Sequence, residues 1–138
     1  MEARDVSVLI LYNTKGEFLL QHRTEDAKNL PGYWAFFGGG LEGGETPEQA
    51  LKREIFEELE YKTSNAHLLM SEKFHHGNNF DEGTKYVFIE KYDKKFPLRL
   101  HEGQGMGWFL PSEIKDLKIL DSDKLIISEA NKFIKFLN

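Results

Sequence analysis

The sequence predicts an α+β layered domain. Three observations carry that prediction: short β-branched and aromatic runs fill the first third of the chain, two segments show helical periodicity, and the helices come late instead of alternating with the strands. At 138 residues the chain is most simply one domain, residues 1–138, large enough to bury a core without disulfides or a structural metal.

Each element follows from local chemistry. Residues 4–12, RDVSVLILY, are rich in aliphatic and β-branched side chains, and NTKG then supplies turn residues before EFLLQHR, so the segment reads as a hairpin. YWAFF, residues 33–37, reads as a short strand that ends in a flexible glycine loop. Thr46 starts a helix: its hydroxyl can cap, Pro47 suits the first helical position and Gln49 completes a capping box. Leu51, Ile55 and Leu59 follow at four-residue spacing and give that helix a buried stripe. Residues 66–75 and 84–92 read as strands joined by the turn-rich HGNNFDEG. A last helix spans about 122–137 through Leu125, Ile126, Ala130, Phe133, Ile134 and Leu137.

Composition narrows the function. A net charge of -5 argues against general attraction to a nucleic acid polymer, so any phosphate ligand has to be held by local features. With no cysteine there is no thiol catalysis and no Cys-type zinc site. The longest early apolar run, Val8–Leu11, is too short for a signal-peptide core, and nothing approaches a membrane span. A cytoplasmic protein without a membrane partner is expected. No feature sets an oligomeric state.

The stretch FFGGGLEGGETPEQALKREIFEELEY, residues 36–61, carries the chemistry. Gly38, Gly40 and Gly43 fit G-x-G-x-x-G, but the following helix begins only near Thr46, which is too late for a dinucleotide-binding turn. Gly39–Gly44 has P-loop spacing, yet Glu45 stands where a phosphate-binding lysine belongs. A phosphate handled here needs an intervening metal. Glu54, Glu57 and Glu58 supply the acids for one: at i, i+3 and i+4 they emerge on one helix face and are expected to converge on a point above it. Carboxylate oxygens without histidine or thiol favour Mg²⁺ or Mn²⁺, which also coordinate phosphate oxygens. Arg53 can reach Glu57 and orient the neighbouring acids. An isolated REIFEE would more simply be a solvated helix face.

Gly39, then Glu45, then Arg53-Glu54-Ile55-x-Glu57-Glu58 resembles the Nudix box, G-x5-E-x7-R-E-U-x-E-E-x-G-U, with U aliphatic or bulky. Every charged position matches and Tyr61 takes the last bulky one. Glu60 departs, standing at the second glycine. The resemblance implies an αβα sandwich with a mixed β-sheet and a hydrolase that cleaves a nucleoside diphosphate linked to another group, using a divalent metal. It further implies Glu54, Glu57 and Glu58 as metal ligands, the Gly38 carbonyl as a further ligand, and Glu54 or a downstream glutamate as the base. Arg53, grouped with the catalytic set, and Glu45 are expected mainly to hold loop against helix beside Gly39.

HEGQGMGWF, residues 101–109, resembles the glutamate-bearing loop before a tryptophan strand in MutT-like members, which makes Glu102 a candidate metal ligand or base. Arg23 can reach substrate phosphates, and Tyr33 and Phe80 can stack on a base. Asp121 or Asp123 can read a base edge or simply begin the last helix. The expected partner is a small-molecule nucleotide: a nucleoside triphosphate or related nucleoside diphosphate derivative, with a GDP-sugar, or a sensor that binds without cleaving, as alternatives.

Overall fold

The structure, a computed structural model, describes residues 4–75 and 82–137. The strands are β1 (Val6–Tyr12), β2 (Phe18–His22), β3 (Trp34–Ala35), β4 (Phe37–Gly40), β5 (His67–His75), β6 (Glu82–Lys91) and β7 (Gly105–Phe109). The helices are α1 (Pro47–Leu59), α2 (Pro111–Ile114) and α3 (Asp121–Leu137). One mixed sheet runs in the order β3-β2-β1-β6-β5, with β4 also on β1 and β7 also on β2. Among the described residues only the β1–β6 pairing is parallel; the others are antiparallel.

Alternation along the strands splits the core into two layers. Leu9, Leu11, Leu19, Phe37 and Phe88 face α1 and pack with Leu51, Ile55, Leu59 and Tyr61. Ile10, Phe18, Leu20, Phe36, Val87 and Ile89 face the other way and pack with Ile126, Ile127, Ala130 and Ile134 of α3. The expected sandwich is therefore present, with α1 and α3 on opposite faces of the sheet. Each fully buried aliphatic side chain in these layers contributes on the order of 1.5–3 kcal/mol.

Helix α1 begins as expected. Thr46 Oγ1 accepts from Gln49 N, Gln49 Oε1 accepts from Thr46 N, and Pro47 takes the first turn. Three details of the sequence reading are corrected. The expected single strand ending in a glycine loop is two strands, β3 and β4, which break at Phe36, and Gly38–Gly40 belong to β4. The loop proper starts at Leu41. The pairing of β4 on β1 is the reason: Gly38 sits opposite Val8 at φ 144°, and an added Cβ would lie 2.1 Å from the Ser7 carbonyl oxygen. In α3, Leu125 and Leu137 are exposed, while Ile127 joins Ile126, Ala130 and Ile134 on the buried stripe. Phe80, with His76–Asn79, lies outside the described residues.

Gly38→Ala should lower stability by about 2–4 kcal/mol, because it combines an unfavourable φ with overlap against backbone that cannot swing aside. Urea unfolding of the metal-free protein measures this. A loss under about 1 kcal/mol would show that β1 and β4 separate easily, contrary to the packing described.

Candidate active site

The site is built where α1 crosses β4. Arg53 is its hub. Its Nε donates to Glu45 Oε2 at 2.7 Å and its Nη2 to Glu45 Oε1 at 2.9 Å, a bidentate pair between the loop and the helix. Nη2 also donates to the Gly40 carbonyl at 3.0 Å, and Nη1 to Glu54 Oε1 at 2.9 Å. Glu57 Oε2 lies 3.5 Å from Nη1. Hydrogen bonding from Arg53, reinforced by the Glu42 N–H, holds the Glu45 carboxyl down at about 2. These contacts tie the loop at Glu45 and the strand at Gly40 to α1. Gly39 lies directly under the Glu54 carboxyl group: a Cβ there would fall 2.5–2.7 Å from it and move that side chain.

Glu58 turns inward. It is 4% exposed, and its Oε1 accepts from the Gly38 N–H at 2.9 Å. Burial pushes its carboxyl up to about 10, helped by a hydrogen bond with Glu102 and by the charges of Glu102 and Glu54, while the Gly38 N–H opposes the shift. The sequence reading had Glu54, Glu57 and Glu58 meeting above the helix. They do share that face, but Glu54 and Glu57 turn toward Arg53 and Glu58 toward β4. Among the described residues, no group of three His, Asp or Glu side chains is arranged to hold a metal ion.

Glu102 reaches this cluster from the loop before β7. That loop is pinned to the end of α1, with the Arg99 N–H on the Leu59 carbonyl at 2.9 Å and the His101 N–H on the Glu58 carbonyl at 2.8 Å. Its other end is pinned to β2, where Gln104 N and Nε2 donate to the His22 and Arg23 carbonyls at 2.8 and 2.7 Å. Gln104 was missed from sequence because its partners lie eighty residues away, and no local signal marks them. Tyr61, at the last position of the box, is fully buried and donates to Glu90 Oε2 at 2.8 Å, so it anchors the chain after α1 to β6.

The remaining candidates have partners of their own. Arg23 Nε donates to the Asn29 carbonyl at 2.9 Å and shapes its own loop. Lys118 Nζ lies 4.9 Å from the Tyr33 ring centroid and covers one face of that ring. Asp123 is buried in an ion pair with Lys85 at 2.7 Å, so its carboxylate is committed inside the fold. A cavity of about 630 Å³, lined by Tyr12, Lys15, Lys91, Ser112 and Lys135 among others, includes none of the site residues.

The NUDIX domain family model matches residues 1–129, and the chain belongs to the Nudix family. Nucleoside triphosphatase NudI of Enterobacter sp. (strain 638) is 48% identical over 59 residues, which is 43% of this chain and 41% of that protein. The chain thus matches well under half the length of that curated relative. An uncharacterized Nudix hydrolase of Listeria innocua serovar 6a is 28% identical over 128 residues, 91% of this chain and 69% of that one. The MutT protein of Methanosarcina mazei Go1 superposes with a TM-score of 0.82 at 19% identity, covering 97% and 96% of the two chains, and shares the fold. Among the described residues, no helix is long and apolar enough to cross a membrane.

Because Glu58 holds its proton far above the ordinary carboxyl value of 4.5, it binds more protons folded than unfolded. Its contribution is fully present below about pH 4.5 and declines as pH rises toward 10. Thermal melts in EDTA should therefore show Tm falling across that window, and Glu58→Gln should flatten the fall. A wild-type Tm that rises steadily across the window would contradict the burial and the pairing described for Glu58.

Proposed function

We propose that this Nudix protein is a divalent-metal-dependent nucleotide pyrophosphohydrolase acting on a nucleoside triphosphate or a related nucleoside diphosphate derivative. The observation that carries the proposal is the buried Glu58 held beside Glu102 and Glu54 on the face of α1 that meets β4. So many carboxyl groups gathered around one buried acid make a site that a cation relieves. The donors fit a hard cation: carboxylate oxygens and the Gly38 carbonyl, without sulfur or imidazole among them. Although the metal-free carboxyl groups do not converge on one point, Glu54, Glu57, Glu58, Glu102 and the Gly38 carbonyl would supply the ligands for Mg²⁺ or Mn²⁺. Bound there, the metal would offset the charge of the diphosphate and acidify the attacking water.

The chain's own groups supply the rest. Arg53 fixes Glu45, Glu54 and the Gly40 carbonyl as one unit, so the acids are oriented before substrate arrives. A water oxygen forms the new P–O bond as the bridging P–O bond breaks. The departing phosphate oxygen keeps the bond's electrons, and Glu102 or Glu54 takes the proton from the water. Glu102 is exposed on a pinned loop, which suits a group that must gain and then release a proton. Arg23 and Tyr33 border the 23–33 loop, where Arg23 would reach substrate phosphates and Tyr33 would stack on a base. The NudI relative's name points to a nucleoside triphosphate.

The test is hydrolysis of a panel of nucleoside triphosphates, sugar nucleotides and dinucleotides with Mg²⁺ and with EDTA. Turnover of a triphosphate, lost in EDTA and in Glu57→Gln with the fold intact, is expected. Turnover only of a GDP-sugar would move the protein to that substrate class, and nucleotide binding without turnover would make it a sensor. Glu102→Ala should lower kcat by roughly ten- to ten-thousand-fold with a smaller effect on KM, the range of a general base. An unchanged rate would make Glu102 an ordinary loop acid and leave Glu54 as the base.

A further inference from the structure

We infer that Glu60 and His101 form a tether that positions Glu102, an inference that rests on the hydrolase reading above. Glu60 stands where the family's pattern has glycine, and it adopts the left-handed conformation that glycine would provide, at φ 54° and ψ 26°, with its N–H on the Phe56 carbonyl. The helix therefore ends in the usual way despite the substitution. What a glycine could not provide is the side chain, whose Oε2 lies 2.5 Å from His101 Nε2.

That contact sits next to the residue that matters. The His101 N–H is bonded to the Glu58 carbonyl and the Arg99 N–H to the Leu59 carbonyl, so the tether closes a ring of contacts between the end of α1 and the strand of loop leading into Glu102. On the far flank, Gly103 has φ 81° and a Cβ on it would fall 2.7 Å from the His22 carbonyl oxygen, while Gln104 is bonded to the same carbonyl. Glu102 is thus the one residue between two anchored flanks, and its carboxyl group meets Glu58. Glu60 and His101 reach no reacting atom; they act through the loop backbone. Imidazole donates from Nε2 both as the neutral Nε2–H tautomer and when protonated, so the tether does not depend on a change of charge. With Glu60 and His101 about 41% and 51% exposed, its effect is modest.

Amide hydrogen exchange of the metal-free protein and steady-state kinetics with Mg²⁺ test this on Glu60→Gly, His101→Ala, the double variant and Glu60→Gln. Each single change to Gly or Ala should speed exchange at the Arg99 and His101 amides about two- to fivefold, as loss of a partly exposed pair would. The Leu51 and Ile55 amides should be unaffected. Kcat should fall severalfold with KM within about twofold. The double variant should be no worse than either single, and Glu60→Gln, which keeps an acceptor for Nε2–H, should stay near wild type. Unchanged exchange and kcat in both singles, or effects that simply add in the double, would overturn the tether. If wild type hydrolyses no nucleotide, the hydrolase reading fails instead, and the exchange pattern still decides whether the pair holds the loop.

Discussion

The site depends on one guanidinium. Arg53 joins a loop through Glu45, a strand through the Gly40 carbonyl and its own helix through Glu54, and so holds in place two carboxylates that would otherwise repel each other. Arg53 is partly exposed, so solvent screens each pair and none of them is a large contribution to stability. Its importance is geometric. A planar fork that binds a carboxylate bidentately fixes direction as well as distance, which a lysine at the same position would not do.

Glu58 contributes in the opposite sense. Burying a carboxyl group beside two others is unfavourable, and the Gly38 N–H satisfies only part of its bonding capacity. The ion in the proposed function and the proton in the metal-free protein compete for the same oxygens, so the stability the fold gives up at this helix face is what would make cation binding favourable there. The surrounding packing permits that loss. Leu51, Ile55 and Leu59 hold α1 to the sheet on its buried side, while the acids occupy the side toward β4.

Where signals were local, the sequence was legible. Thr46, Pro47 and Gln49 fix the start of α1, and the four-residue apolar spacing fixes its buried face; both follow from backbone geometry within a dozen residues. Gly38–Gly40 misled because glycine has little strand preference of its own, and here strand structure is imposed by pairing with β1 thirty residues earlier in the chain. The last helix misled more mildly. Leu125 and Ile127 differ by two positions and are equally apolar, and only the sheet opposite decides which is covered. The side-chain directions of Glu54, Glu57 and Glu58 were not legible for a related reason: helical spacing sets where the Cβ atoms point, while Arg53 and Gly38 decide where the carboxyl groups end.

The loop around Glu102 shows how the box and the rest of the chain are joined. One end is held inside the box, by the carbonyls at the end of α1, and the other outside it, by the end of β2 through Gln104, whose side chain also reaches Glu25 in the 23–33 loop at 3.2 Å. Gln104 is therefore a strut shared by the 23–33 loop and the loop that carries Glu102. That strut ends on the Arg23 carbonyl and on the exposed Glu25 side chain, so it ties the two loops through the Gln104 side chain and not through backbone alone.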